Sequence, residues 1–291
     1  MDECGFTVVE NIGTGTFGTV YKCMDQNNDM RCIKQIKLNN ASDDAASKHL
    51  GMIQREIYLL QNLAHPRIIS MYGYFCSETD DEYVYIVMEY AAFGSLSKII
   101  AENCAQHLFF DEQKIKQFLI DMVLGIEYLH MKNVVHKDLK PCNILIFDNE
   151  HLKIADFGIS KITDNSCDNI FICNKIKEAG GSPIYMAPET LIHNQYTFSS
   201  DIWALGCILY ELCTLQPAFG FVESMDQLIR CTLTKAYTPI NPHIHPCNKD
   251  MVDLVEKMMI VDVQERATVK DVISSPAIIV DYYHSYFQFD S

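Results

Sequence analysis

The feature that most limits how this chain can fold is a change of hydrophobic period near residue 90. Up to that point apolar and polar residues mostly alternate, as half-buried strands require. FTVVENIG from Phe6, TVYKCM from Thr19 and MRCIKQIKL from Met30 read as three antiparallel strands around a glycine-rich stretch and a DQNND turn. A helical period starts at Ser42, an N-cap followed by Asp43 and Asp44, and runs to about Leu63. RIISMYGYF (67–75) and EYVYIVMEY (82–90), separated by ETDDE, read as two further strands. After AAFGSL the apolar residues recur at helical spacing near 96–103, 111–132, 199–214, 224–232 and 249–259, with short strand-like runs at NILIFD and HLKIAD. The pattern predicts an α+β chain whose first 90 residues are sheet with one helix and whose remainder is α-rich.

Composition narrows the function classes. At 291 residues the chain makes one large domain or two small lobes, and its 48% hydrophobic and 21% charged content suits a globular fold. Lys and Arg total 23 against 38 acids, so most of the surface repels a phosphate backbone or an anionic leaflet. Neither nucleic acid nor membrane is an expected partner, although one local cleft can still hold a nucleotide. The 12 cysteines form no Cys-x-x-Cys pair, and the N-terminus MDECGFTVVE lacks the basic and apolar regions of a signal peptide. Reduced thiols in the cytosol or nucleus are expected.

Several residues carry chemistry. Gly13-Thr14-Gly15-Thr16-Phe17-Gly18 fits G-x-G-x-x-G, whose missing side chains let backbone N–H groups approach phosphates. A dinucleotide-binding turn needs a helix directly afterwards, whereas Thr19-Val20-Tyr21 is strand-like, so a hairpin folded over phosphates or a plain glycine turn fits better. Lys34 lies in an apolar strand opposite Ile33, where a single lysine is by itself more often a solvated strand residue. Glu56 falls on the apolar helical stripe of Met52, Ile53, Ile57 and Leu60. Burying that carboxylate unpaired would cost several kcal/mol, and Lys34 is the natural counter-ion; the alternative sets Glu56 at the stripe's edge in water. His136-Lys137-Asp138-Leu139-Lys140-Pro141-Cys142-Asn143 packs an acid, a base and an amide into one loop, and Asp156-Phe157-Gly158 follows the strand LKIA. Two acids and an amide near a phosphate loop suit Mg²⁺, a hard ion.

In this order and spacing the motifs resemble those of the eukaryotic protein kinase family, serine/threonine branch. The resemblance runs from about Phe6 to Pro276 and includes Ala187-Pro188-Glu189 and Asp201-Ile202-Trp203-Ala204-Leu205-Gly206. It implies a two-lobed kinase fold, with a five-stranded antiparallel N-lobe over 1–90, a hinge and C-lobe over 91–276, and an aromatic tail over 277–291. It implies ATP and Mg²⁺ in the cleft and a protein Ser or Thr hydroxyl as acceptor. Lys34 would contact the α/β-phosphates with Glu56 orienting it, Asp156 and Asn143 would hold Mg²⁺, Asp138 would accept the hydroxyl proton, and Lys140 would approach the γ-phosphate. Ile12, Gly13, Gly15, Gly18, Val20, Cys32 and Leu145 would enclose the nucleotide. Glu89 to Ala91 would form the hinge that bonds adenine, with Met88 as gatekeeper. Glu189 would pair with Arg266, and Asp201 would anchor the catalytic loop. Ile159 after DFG implies a preference for threonine.

Departures from that pattern matter too. The loop reads His-Lys-Asp where many members have His-Arg-Asp, and Glu178 stands at the spacing where relatives carry an activating phosphosite. A Lys137/Glu178 contact would leave the kinase active without that phosphorylation; two exposed charges worth under about 1 kcal/mol are the alternative. Neutral residues at Gly94-Ser95-Leu96 and Cys142 argue against strong selection for arginine in the substrate. His243-Ile244-His245-Pro246-Cys247 reads as a loop rather than a metal site. The stretch before Glu189, SCDNIFICNKIK, and the tail Tyr282–Phe289 are candidate contacts for a regulatory partner, the tail alternatively packing on the second lobe. Two other classes compete: a catalytically silent nucleotide-binding scaffold, which would lack one of the motif residues kept here, and a nicotinamide dehydrogenase, which would need the missing helix.

Overall fold

The structure is a computed structural model that describes residues 5–15, 18–38, 44–76, 83–147, 151–162 and 183–287. Five strands form one antiparallel sheet: β1 (Thr7–Gly15), β2 (Gly18–Met24), β3 (Met30–Lys37), β4 (Met71–Cys76) and β5 (Tyr83–Glu89), in the spatial order β1-β2-β3-β5-β4. Antiparallel neighbours place directly paired residues on one face. The register therefore sets Val20, Lys34 and Ile86 side by side, with Cys32 beside Met88. That face looks toward helix α1 (Asp44–Asn62). On the opposite face Cys23, Ile33, Tyr85 and Val87 bury a second small core under Phe6 and Phe75, whose rings stack 6.0 Å apart. Burial on both faces explains why YVYIVME carries no polar alternation.

The β1–β2 turn depends on one glycine. Gly18 has φ +132°, and a Cβ there would sit 2.1 Å from the Gln35 carbonyl oxygen, so a side chain would push the hairpin off β3.

The second lobe is built from α2 (Leu96–Gln106), α3 (Glu112–Met131), α4 (Pro188–His193), α5 (Phe198–Thr214), α6 (Met225–Leu233), α7 (Lys249–Met258), α8 (Val269–Ile273) and α9 (Ile279–Phe287). Asp111, Ser224, Asn248 and Thr268 cap α3, α6, α7 and α8 by accepting from first-turn N–H groups. Helix α5 is the lobe's axis, with Trp203, Leu205, Ile208, Leu209, Leu212 and Cys213 entirely or almost entirely out of solvent. Short strands β6 (Val134–Val135), β7 (Ile144–Ile146), β8 (Leu152–Ile154) and β9 (Lys161–Ile162) pair as β6-β9 and β7-β8 and bracket the loop between them.

One expectation shifts. The strand expected over 67–75 forms only over Met71–Cys76, because the backbone of Arg67 and Ile69 bonds to Ile154 instead of to β5. The tail contains α9, which packs on α3 with Tyr282 3% exposed and its hydroxyl donating to Glu127. The stretch around His243, His245 and Cys247 is irregular, as expected, and no cluster of metal-ligating side chains occurs among the described residues. The described cysteines are all free thiols, and no described helix is long and apolar enough to cross a membrane.

Candidate active site

Between the lobes lies a cleft of about 610 Å³. Of the residues singled out in the sequence, Ile12, Gly13, Val20, Cys32, Lys34, Glu56, Met88, Glu89, Ala91, Asn143, Leu145 and Asp156 line it. Gly15 and Gly18 pair with each other at the turn above it. Asp138 lines an adjoining small pocket with Tyr185 and Thr190, and Lys140 is bonded to it.

The upper part of the cleft is an ion-pair relay. Lys34 Nζ lies 2.6 Å from Glu56 Oε1 and 3.2 Å from Asp156 Oδ1, bringing a strand, a helix and the start of a loop together at one ammonium. Helix α1 is thus turned inward, which the sequence does not decide. Burial disfavours the charge on Lys34, but Glu56 and then Asp156 more than compensate, and the ammonium is held above its ordinary value. Burial likewise opposes the Asp156 carboxylate, yet Lys34 keeps it below the usual range. Glu56 goes the other way, because its desolvation outweighs the attraction of Lys34. Asp156 has φ +65° and Lys137 φ +72°, a left-handed backbone that is uncommon for such residues and concentrates at functional positions. Phe157, fully buried, packs edge-on against His136 at 5.2 Å and fixes the turn after Asp156.

The floor is the loop between β6 and β7. Asp201 accepts from the backbone N–H groups of His136 and Lys137, each at 3.0 Å, and its Oδ2 lies 3.0 Å from His130 Nε2. The Ser160 hydroxyl donates to the His136 carbonyl. Within the loop Lys140 Nζ donates to Asp138 Oδ2 at 2.6 Å, and Asn143 Nδ2 donates to the Asp138 carbonyl at 2.8 Å and to Oδ2 at 3.0 Å. With its Nδ2 turned to Asp138, Asn143 leaves Oδ1 as its ligating oxygen, which accepts from the Cys142 thiol at 3.6 Å. Glu189 and Arg266 close the lobe through two bonds of 2.8 and 2.9 Å in a site where Arg266 has no exposed side-chain surface.

The connector between lobes begins at Glu89, whose carboxylate accepts from Ser70 N and pairs with Lys153 Nζ at 2.6 Å. The Ala91 N–H has no intramolecular acceptor among the described residues and opens on the cleft. Burial pushes the Cys32 thiol up to about 12, so it serves as a neutral roof atom. Sequence reasoning missed Leu60, Ile69, Gly94, Ser95, Lys98 and Ala155 in the lining. Their types are ordinary for core or loop, and only the fold brings them to the cavity. Lys153 was equally hidden, being a single lysine on a short strand. Glu178 lies outside the described residues.

A sheet lobe and a helical lobe, joined by a short connector over a cleft that holds a buried lysine between two acids, define a protein kinase fold. The pattern described as protein kinase domain matches residues 6–278. The serine/threonine-protein kinase nekl-2 of Caenorhabditis elegans is 32% identical over 278 residues, which cover 93% of this chain and 73% of that protein. Mitogen-activated protein kinase kinase kinase 3 of Arabidopsis thaliana is 33% identical over 84% of this chain, and serine/threonine-protein kinase Nek5 of Mus musculus 31% identical over 93%. The chain spans 38% and 40% of the length of these last two. It belongs to the protein kinase family, as its motifs imply.

Proposed function

We propose that this chain transfers the γ-phosphoryl group of ATP, with Mg²⁺, to serine or threonine hydroxyls of protein substrates. The observation that carries the reading is the joint contact of Lys34 with Glu56 and Asp156 directly above the Asp138–Lys140–Asn143 cluster. Protein kinases use ATP and Mg²⁺ in general, and the names of the relatives support a serine/threonine acceptor.

The donor set fits Mg²⁺. Asp156 offers a carboxylate held ionised and Asn143 an amide oxygen, both hard ligands suited to an ion that also keeps waters and phosphate oxygens. When bound, the ion neutralises charge on the phosphates. The protein's own groups position the rest. Glu56 holds the Lys34 ammonium where it meets the α/β-phosphates, and the missing side chains of Gly13, Gly15 and Gly18 let the hairpin backbone approach them, with the Gly13 N–H donating to Asn11 Oδ1. Met88, Val20, Leu145, Ile12 and Cys32 enclose the base, while Glu89 to Ala91 supply backbone partners for it. Asp138 accepts the hydroxyl proton of the substrate, and Lys140, already bonded to it, supplies positive charge to the transferring group. The loose transition state leaves little covalent work for protein side chains.

Two finer readings belong here. By its charge and its place in the sequence Glu178, which lies outside the described residues, takes the role of the phosphorylated residue of regulated kinases toward Lys137, so activity survives phosphatase treatment and falls in Glu178→Ala. Ile159 favours threonine. The test is labelled ATP with Mg²⁺ and a mixed protein substrate, followed by phosphoamino-acid analysis. Phosphothreonine in excess over phosphoserine supports both the class and the preference, label mainly on serine refutes the preference, and label on tyrosine alone refutes the class.

A further inference from the structure

Behind the cleft, and contributing nothing to its lining, is a buried ionic cluster. Asp121 of α3 is fully buried and Arg67 is 5% exposed. Arg67 Nε lies 2.6 Å from Asp121 Oδ1, an ion-pair contact whose N–H is not aligned as a hydrogen bond. His151 Nδ1 lies 3.0 Å from Arg67 Nη2 and 3.4 Å from Asp121 Oδ2, so the ring faces both members of the pair. The other groups facing Asp121 are Gln117 Nε2 at 3.2 Å and the backbone N–H of Leu152 at 2.8 Å.

The cluster sits where two chain segments that carry active-site residues meet. One is the segment leaving α1, which bears Glu56. The other is β8, which leads directly to Asp156. They are bound to each other by Ile154 N donating to the Arg67 carbonyl at 2.9 Å and Ile69 N donating to the Ile154 carbonyl at 3.0 Å. Both rest on one face of α3. A Cβ on Gly125, four residues after Asp121, would lie 2.8 Å from Ile154 Cδ1 and 3.0 Å from the Arg67 carbonyl, so α3 can approach both segments only with glycine there. One turn further along, the Tyr128 hydroxyl accepts from Ala64 N at 3.0 Å and its ring stacks on His65. Asp121 therefore touches β8 through Leu152 and the α1 exit through Arg67 at the same time.

We propose that Arg67 and Asp121 are positioning residues for phosphoryl transfer: their ion pair keeps β8 in step with the exit of α1, so that Asp156 and Glu56 reach Lys34 together. The inference rests on the phosphotransferase reading above. It concerns the phosphate end of the cleft, because the connector that would bond the base is held by β5 within the five-stranded sheet, where Glu89 pairs with Arg31 of β3, in addition to the contacts of its carboxylate with Lys153 of β8 and Ser70 N.

That division supplies the test. Wild type, Arg67→Lys, Arg67→Met and the double variant Arg67→Met/Asp121→Asn are compared for kcat, Mg²⁺ requirement, and affinity for Mg·ATP and for adenosine, which has no phosphates. Each protein is first checked for a cooperative thermal transition. Loss of the pair lowers kcat about tenfold or more, since small misplacements of reacting groups are expensive. Affinity for Mg·ATP falls with it, adenosine affinity stays within about twofold, and Arg67→Lys recovers kcat to within about threefold. If Arg67→Met fails to fold, the double variant, which leaves no buried charge alone, carries the comparison. Unchanged kcat and Mg²⁺ requirement in a folded variant overturn the proposal. So does adenosine affinity falling in parallel with Mg·ATP, a lysine variant no better than methionine, or a double variant that does not fold. Absence of transfer by wild type counts against the phosphotransferase reading alone, because the ratio of Mg·ATP to adenosine affinity still reads the positioning role.

Discussion

At the residue scale the central object is Lys34, a cation held out of water by two acids of different fate. Glu56 is drawn up by desolvation while Asp156 is held down, so the pair of carboxylates is not interchangeable. Lys34→Met removes the cation on which both converge, and activity falls by about 10²–10³ as for the loss of one preorganised electrostatic group; steady-state kinetics on protein of unchanged thermal transition check this. A second prediction concerns His65, stacked on Tyr128, where burial and then Arg67 lower its pKa to about 4. Its folded value lies below the unfolded one, so the unfolded chain binds the extra proton between about pH 6.5 and 4. Its contribution to stability is complete above that window and is lost as pH falls through it. Imidazole titration by NMR gives a midpoint near 4 for His65, and an ordinary midpoint would contradict the burial described. Glu56 was legible in the sequence because a carboxylate on an apolar stripe demands a partner. The left-handed backbone at Asp156 and Lys137 was not, since nothing in either residue type requires it.

At the element scale, the long helices were legible because each buries one periodic face, and the five strands because short runs of β-branched and aromatic residues are bounded by turn signals. What the sequence hid was set by tertiary partners. Residues 67–70 have strand-like composition, yet their backbone bonds go to β8 and to Glu89, and a buried Arg67 holds them out of the sheet. Helices α4 and α8 are too short to show a period, with 6 and 5 residues. Helix α9 is amphipathic only with respect to α3, which reaches it through Glu127 and Tyr282. The Glu189–Arg266 pair joins the start of α4 to the turn before α8, and the sequence named both partners by their motifs. Arg266→Met leaves Glu189 buried and unpaired, and chemical denaturation should register a loss of about 3–5 kcal/mol. A loss below about 1 kcal/mol would show that Ser200, which also donates to Glu189, suffices to hold it.

For the whole molecule, the sheet lobe brings a glycine hairpin and a buried lysine, the helical lobe brings an acid, a base and an amide, and the cleft exists only where the two meet. Neither lobe holds the complete set. The fold was readable because the order of the motifs along the chain is the order in which the lobes are built. The cavity's remaining wall was not, because its residues come from α1, α2 and the segments before β4, before α2 and after β8, and are unremarkable in each. The most direct measurement is phosphoryl transfer by wild type and Asp138→Asn, read against Mg·ATP affinity in both. Wild type labels protein hydroxyls, the variant loses transfer by at least about 10²-fold, and its Mg·ATP affinity is unchanged, because Asp138 acts on the acceptor proton and not on the nucleotide. Transfer at the wild-type rate by Asp138→Asn would contradict that role.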